Sequence, residues 1–206
     1  MDGERRRGLL RDARLYLVTD GDVDAVREAI AGGVDLVQLR MKDAPDERVL
    51  ETARAFREAC PLLIVNDRPD LALACGADGV HVGQDDIALD EARTVVGGDL
   101  IVGVSTHSPE QVDAALDSTA DYLGVGPVYS TPTKPGREPV GLELVRYAAS
   151  HASAKPWFAI GGIDQGNARA VADAGATRIA VVRAIRDAAD PRAAAAALKL
   201  EEARVD

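Results

Sequence analysis

Aromatic residues are scarce, at 3% of the chain, so the interior cannot be built around large rings. It must be filled mainly by Val, Ile, Leu and Ala, within a hydrophobic content of 47%. That composition suits parallel strands covered by Ala-rich helices. Cysteine is nearly absent: Cys60 and Cys75 show no metal-ligand spacing, and both sit in apolar, helix-like surroundings. They read as core residues of a protein in a reducing, cytoplasmic compartment. An excess of positive charge is missing too. The net charge of −10 repels nucleic acid and anionic membrane, so neither is expected as a partner. An anionic substrate would need a local basic pocket or a metal. No apolar run is long enough to span a bilayer. The segment 1–14 contains Arg5-Arg6-Arg7 with no apolar stretch behind it, so it reads as an N-terminal extension and not as a signal peptide.

What is present is an alternation. Strands are expected at Leu15–Asp20, Leu36–Arg40, Leu62–Asp67, Gly79–Gly83, Leu100–Ser105, Asp121–Gly126, Pro156–Gly162 and Ile179–Arg183. Helices are expected between them, with Pro45 and Pro109 in first turns, and an Ala-rich one from Pro191 closes the chain. Eight strands alternating with eight helices is the pattern of a (β/α)8 TIM barrel, here one domain over residues 1–206. A weak internal repeat supports it. Asp35, Asp78 and Asp121 each end a helix-to-strand turn and are spaced by 43 residues, two βα units. A doubly wound open sheet is the alternative, but no glycine fingerprint of a dinucleotide site follows an early strand.

The stretch Leu36-Val37-Gln38-Leu39-Arg40-Met41-Lys42-Asp43 carries the chemistry. Alternation puts Val37, Leu39 and Met41 on one face and Leu36, Gln38, Arg40 and Lys42 on the other. An amide and two cations aimed the same way at a strand end suit an anion with several oxygens. Barrel active sites lie at the C-terminal strand ends. Those ends also offer Asn66 and Asp67, Asp86, Ser105, the loop Tyr129–Lys134, Gly161-Gly162 and Val182-Arg183. Two carboxylates on neighbouring strands, Asp67 and Asp86, suit Mg2+, with Asp85 competing for the second place. Gly161-Gly162 and the end of the eighth strand precede helical starts, where bare amides bind phosphate. A long loop from Pro127 to Val140 lies between these two anion sites.

Taken together, several motifs resemble the thiamine phosphate synthase family. They are Gln38-Leu39-Arg40-Met41-Lys42-Asp43, Asn66-Asp67-Arg68, Gly79-Val80-His81-Val82-Gly83-Gln84-Asp85-Asp86, the run from Gly124 to Lys134, and Ala159-Ile160-Gly161-Gly162-Ile163. The resemblance runs from Leu15 to about Ile185. It implies a transferase that joins a hydroxymethylpyrimidine diphosphate to a thiazole phosphate, plain or carboxylated, and releases diphosphate with Mg2+ as cofactor. By the same resemblance Gln38, Arg40, Lys42, Asn66, Ser105 and Lys134 hold the pyrimidine diphosphate within the Leu39- and Met41-containing motif. Arg40, Lys42, Ser105 and Lys134 take catalytic roles, and Asp67 and Asp86 bind the metal. Thr131, Pro132, Thr133, Gly162, Val182 and Arg183 line the thiazole phosphate site.

One departure stands out, because the family usually carries a small residue where this chain has Arg183. His81, in mid-strand, reads as a packed structural residue. His107 is a candidate for the mouth, and His151 reads as a solvated helix end. The rival functions are a thiazole tautomerase of the same family, a non-catalytic phosphate-binding barrel, and a Schiff-base aldolase. An aldolase needs a lysine buried at a strand end, whereas Lys42 and Lys134 lie past the apolar parts. Partners are thus expected to be small molecules, and a homo-oligomer is compatible with the chain.

Overall fold

The computed structural model describes residues 1–131, 138–152 and 154–200. Eight parallel strands close into one barrel: β1 (Leu15–Thr19), β2 (Leu36–Leu39), β3 (Leu63–Asn66), β4 (Gly79–Val82), β5 (Ile101–Thr106), β6 (Tyr122–Val125), β7 (Trp157–Ile160) and β8 (Ile179–Val181). Each pairs with the next, and β8 returns to β1 through Tyr16 opposite Ala180. The helices around it are α2 (Val23–Ala31), α3 (Asp46–Ala59), α4 (Pro69–Cys75), α5 (Leu89–Val96), α6 (Pro109–Leu116), α7 (Gly141–His151), α8 (Ala168–Asp173), a short α9 (Arg183–Arg186) and α10 (Pro191–Leu198). Asp22, Ser108 and Asp190 cap α2, α6 and α10 with side-chain oxygens. Among the described residues, no helix is long and apolar enough to cross a membrane.

Two apolar layers follow from the period-2 alternation of the strands. Leu17, Val37, Leu39, Val65, Val80 and Leu123 face outward against the helices. Tyr16, Leu36, Ile64, Tyr122, Phe158 and Ala180 face inward and fill the barrel. Three of the seven aromatics sit at the centre. Tyr16, Tyr122 and Phe158 pack edge to face with ring centroids 5.3–5.9 Å apart. Such pairs contribute ~0.5–1.5 kcal/mol each beyond their burial. Gly103 makes the room: a Cβ there would lie 2.1 Å from the Tyr122 ring.

The N-terminal segment differs from its reading as an extension. It forms a helix, α1 (Gly3–Asp12), capped by Asp2, and it closes the foot of the barrel. Leu10 is buried in the inner cluster, while Arg6 reaches Asp78 and Arg7 reaches Asp121. The periodic signal was weak because a helix covering a narrow opening needs only a few apolar residues. After β7, α8 begins only at Ala168. Asp164 and Asn167 instead close a turn, with Asn167 Oδ1 accepting from the Asp164 N–H at 2.9 Å.

Candidate active site

A cavity of about 260 Å³ opens at the C-terminal mouth of the barrel. Gln38 and Arg40 line it from β2 and just beyond, as strand alternation demands, and Asn66 and Ser105 line it from β3 and β5. Thr131, Gly162, Val182 and Arg183 close the opposite side. The strand reading therefore has the correct face for Gln38 and Arg40. Leu39 and Met41 fall on the other one: their side chains pack outward with the helix-facing core and do not line the cavity. Pro132, Thr133 and Lys134 lie outside the described residues.

Next to Asn66 sits an ionic cluster. Lys42 Nζ lies 3.3 Å from Asp67 Oδ2 and 3.5 Å from Asp86 Oδ1. Asp67 carries a left-handed backbone, φ 61°, uncommon outside glycine. Its backbone and side chain are both bonded: the Asp67 N–H donates to the His81 carbonyl on β4 at 2.8 Å, and Asn66 Nδ2 donates to Asp67 Oδ2. The Gly83 N–H donates to Asp86 Oδ2 at 3.1 Å. Burial, and then the charge of Asp86, push the Asp67 carboxyl above its usual range. Burial acts on Asp86 in the same direction. The hydrogen bond from Asp67, the Lys42 charge and the Gly83 amide outweigh it and hold Asp86 low. Two carboxylates thus share one ammonium. This donor set fits a small hard cation, which takes one or two carboxylates and leaves its other positions to water and phosphate.

Glycines shape the far wall. Gly161 (φ 106°) and Gly162 (φ 64°) turn the chain after β7, and a Cβ at Gly162 would lie 2.7 Å from Tyr129 and 2.8 Å from the Ser130 carbonyl. The loop after β6 can therefore lie against the turn, with the Val128 and Tyr129 amides donating to the carbonyls of Ile160 and Gly161 at 2.9 Å. Arg183 begins α9 beside Val182. Asp187 pairs with Arg186 at 2.7 Å and also feels the charge of Arg183.

A model of thiamine monophosphate synthase matches residues 15–185. The chain belongs to that family. It is 52% identical over 198 residues to the thiamine-phosphate synthase of Acidothermus cellulolyticus, covering 91% of this chain and 93% of the relative. It is 52% identical over 201 residues to the one of Thermus thermophilus, covering 90% and 95%. The Gloeobacter violaceus relative is 55% identical over 189 residues, but this chain spans only 55% of its length. Thiamine phosphate pyrophosphorylase from Pyrococcus furiosus superposes with a TM-score of 0.83 at 37% identity, over 92% of this chain and 95% of that one. The 3-hexulose-6-phosphate synthase structure, with a TM-score of 0.64 at 22% identity, shares the fold.

Within this family member, sequence reasoning missed three inward-facing side chains as a set. Tyr16 lines the cavity and its Oη is 2.9 Å from that of the buried Tyr122, which His81 ties to the site: His81 Nδ1 is 2.9 Å from Tyr122 Oη and its Nε2 is 2.9 Å from Ser105 Oγ. His81 is buried, as expected, yet it also lines the cavity. The available signal was the placement of two of only four tyrosines at inward strand positions. His107 lines the cavity as well, with Nδ1 against the Gly126 carbonyl, and His151 ends α7 exposed.

Proposed function

We propose that the chain is a thiamine-phosphate synthase. It joins 4-amino-2-methyl-5-hydroxymethylpyrimidine diphosphate to 4-methyl-5-hydroxyethylthiazole phosphate, plain or carboxylated, and forms thiamine monophosphate and diphosphate. The observation that supports this reading is one cavity with two chemically unlike sides. An ionic cluster of Lys42, Asp67 and Asp86 adjoins one side, and a glycine turn with Val182 and Arg183 forms the other. A reaction that holds a diphosphate and a monophosphate at once needs both.

Arg40, Lys42 and Asn66, with Lys134 from the loop, hold the diphosphate and stabilise the charge gathering on its oxygens as the C–O bond breaks. Asp67 and Asp86 would hold Mg2+, which supplies further neutralisation of the leaving group when bound. Gln38 and Ser105 hold the aminopyrimidine, whose electron-rich ring carries the positive charge left at its methylene. Bond breaking can therefore run ahead of attack, and no strong protein base is required. Thr131, Pro132, Thr133, Gly162, Val182 and Arg183 hold the thiazole phosphate so that the ring nitrogen lies in line. Apolar walls from Ile160, Ile163 and Phe158 limit water that would trap the cation. The test is incubation with both phosphorylated substrates and Mg2+, following diphosphate release. Release that requires both substrates and the metal is the expected result. No release, or isomerisation of the thiazole phosphate alone, would overturn the reading.

A further inference from the structure

Five polar side chains form one continuous path through the barrel interior. Gln38 Nε2 lies 2.5 Å from Tyr16 Oη, Tyr16 Oη is 2.9 Å from Tyr122 Oη, Tyr122 Oη is 2.9 Å from His81 Nδ1, and His81 Nε2 is 2.9 Å from Ser105 Oγ. The path links strands β2, β1, β6, β4 and β5, and its two ends, Gln38 and Ser105, both line the cavity. Burial pushes both phenols above their usual range, so each keeps its single proton.

Counting protons fixes the options. A phenol donates once, a neutral imidazole donates once, and every one of the four links needs one proton. With a neutral His81 only two arrangements satisfy all four links and also use both phenol protons within the path. In the first, Gln38 donates to Tyr16, Tyr16 to Tyr122, Tyr122 to His81 Nδ1, and the His81 Nε2–H to Ser105. Gln38 then turns its Oε1 acceptor to the cavity, and Ser105 turns its proton there. In the second every arrow is reversed, the Gln38 amide is flipped, and both ends present the opposite character. Any mixture leaves a buried donor or acceptor unpaired, at ~1–3 kcal/mol. The amide of Gln38 points Nε2 at Tyr16, which is the first arrangement.

We infer that Tyr16, Tyr122 and His81 are positioning residues that lock Gln38 as an acceptor and Ser105 as a donor, and so select an aminopyrimidine ring over its oxo counterpart. This rests on the reading of the cavity as a pyrimidine diphosphate site. An aminopyrimidine offers an amine donor beside a ring-nitrogen acceptor, which matches that pair. An oxo ring offers a carbonyl beside a ring N–H and mismatches both ends. The coupling matters because one end cannot adapt unless the whole path reverses.

Two measurements test this. The first is the 15N spectrum of wild-type His81 at neutral pH, which reports the tautomer without any variant or turnover. The Nε2–H form is expected, and an Nδ1–H form or an imidazolium would overturn the polarity. The second is Tyr122→Phe, which keeps the ring packing and cuts the path. Its KM for the aminopyrimidine diphosphate should rise about tenfold, the scale of one hydrogen bond, with KM for thiazole phosphate unchanged. Its preference in kcat/KM for the amino over the oxo substrate should fall at least about tenfold by the same scale. Unchanged preference would overturn the selection role. Wild-type protein that releases no diphosphate would instead sink the catalytic reading, and the tautomer result would stand apart from it.

Discussion

The two ends of the barrel use aspartate in opposite ways. At the foot, Asp35, Asp78 and Asp121 each accept hydrogen bonds from the backbone at the start of the preceding strand. Asp35 Oδ2 takes the Arg14 and Leu15 amides at 2.8 and 3.0 Å, Asp78 Oδ2 takes the Leu63 amide at 3.0 Å, and Asp121 Oδ2 takes the Val102 amide at 2.8 Å. Arginine is supplied in excess to the two deeper ones: Arg6 and Arg57 reach Asp78, and Arg7 and Arg93 reach Asp121. At the mouth the ratio inverts, because Asp67 and Asp86 share one lysine. A carboxylate with two guanidiniums and a backbone donor is satisfied and holds strands together. Two carboxylates with one ammonium are under-neutralised and suited to a further cation. The contrast matches the general division of such barrels into a stabilising face and a reactive one.

The largest expected effect breaks the foot. Asp78 is fully buried, and Asp78→Ala would strand two arginines and the Leu63 amide. Removing one partner from a buried ionic group costs ~3–5 kcal/mol. In a chain of this size that is a Tm lower by about 10 °C. The folded variant, assayed well below its Tm, should retain near-normal kcat. A normal melting temperature would mean the foot cluster is not what secures the strands.

At the mouth the expected signs reverse. Asp67→Asn keeps a side chain that tolerates the left-handed backbone and removes the repulsion with Asp86. Stability should hold or rise, while turnover falls at least ~100-fold, the scale for losing one major charge-stabilising arrangement. Excess chelator should abolish coupling in the wild type. Normal coupling in the variant or under chelation would remove the case for a metal at these two residues.

A smaller effect at the foot sharpens the same contrast. Arg7 is partly exposed, pairs with Asp121 at 2.7 Å and donates to the Gly98 carbonyl at 2.7 Å. Asp121 keeps Arg93 when Arg7 is removed. Arg7→Ala should therefore cost only ~1 kcal/mol, read as a Tm lower by about 3 °C with unchanged kinetics.

The contrast was half legible in the sequence. The 43-residue spacing of Asp35, Asp78 and Asp121 pointed to repeated βα units, and the geometry supplies its physical cause, since each residue ties one strand's start to the next. Strand alternation placed Gln38 and Arg40 inside and Val37 outside without any tertiary information. The same alternation put Leu39 and Met41 on the outer face, and the structure agrees with it against the motif resemblance that grouped them with the site. The sequence reading missed α1, whose few apolar residues give little periodic signal, and the Tyr16–Tyr122–His81 path. That path depends on register between strands that are far apart in sequence, as with Tyr16 and Tyr122, and a linear pattern carries no register. Gly103 is informative only afterwards, once the Tyr122 ring is seen to fill the space of its missing side chain.

The smallest expected effect lies at the one position where this chain departs from the family's usual small residue. Arg183 lines the cavity at the start of α9, next to Val182, and Asp187 is engaged by Arg186. Arg183 is exposed at the rim of the side proposed for thiazole phosphate, so its guanidinium can reach a phosphate bound there. Its charge favours a dianionic phosphate, but the contact is partly solvated and worth ~0.5–1.5 kcal/mol. That corresponds to roughly threefold to tenfold in binding. An interaction made equally in ground and transition states changes KM and leaves kcat alone. Arg183→Ser should accordingly raise KM for thiazole phosphate by no more than about tenfold on that scale, with kcat and the pyrimidine diphosphate KM nearly constant. An unchanged KM would place the arginine in solvent. A collapse of kcat would make it part of the reacting machinery and extend the under-neutralised, substrate-facing character of the mouth to both anion sites.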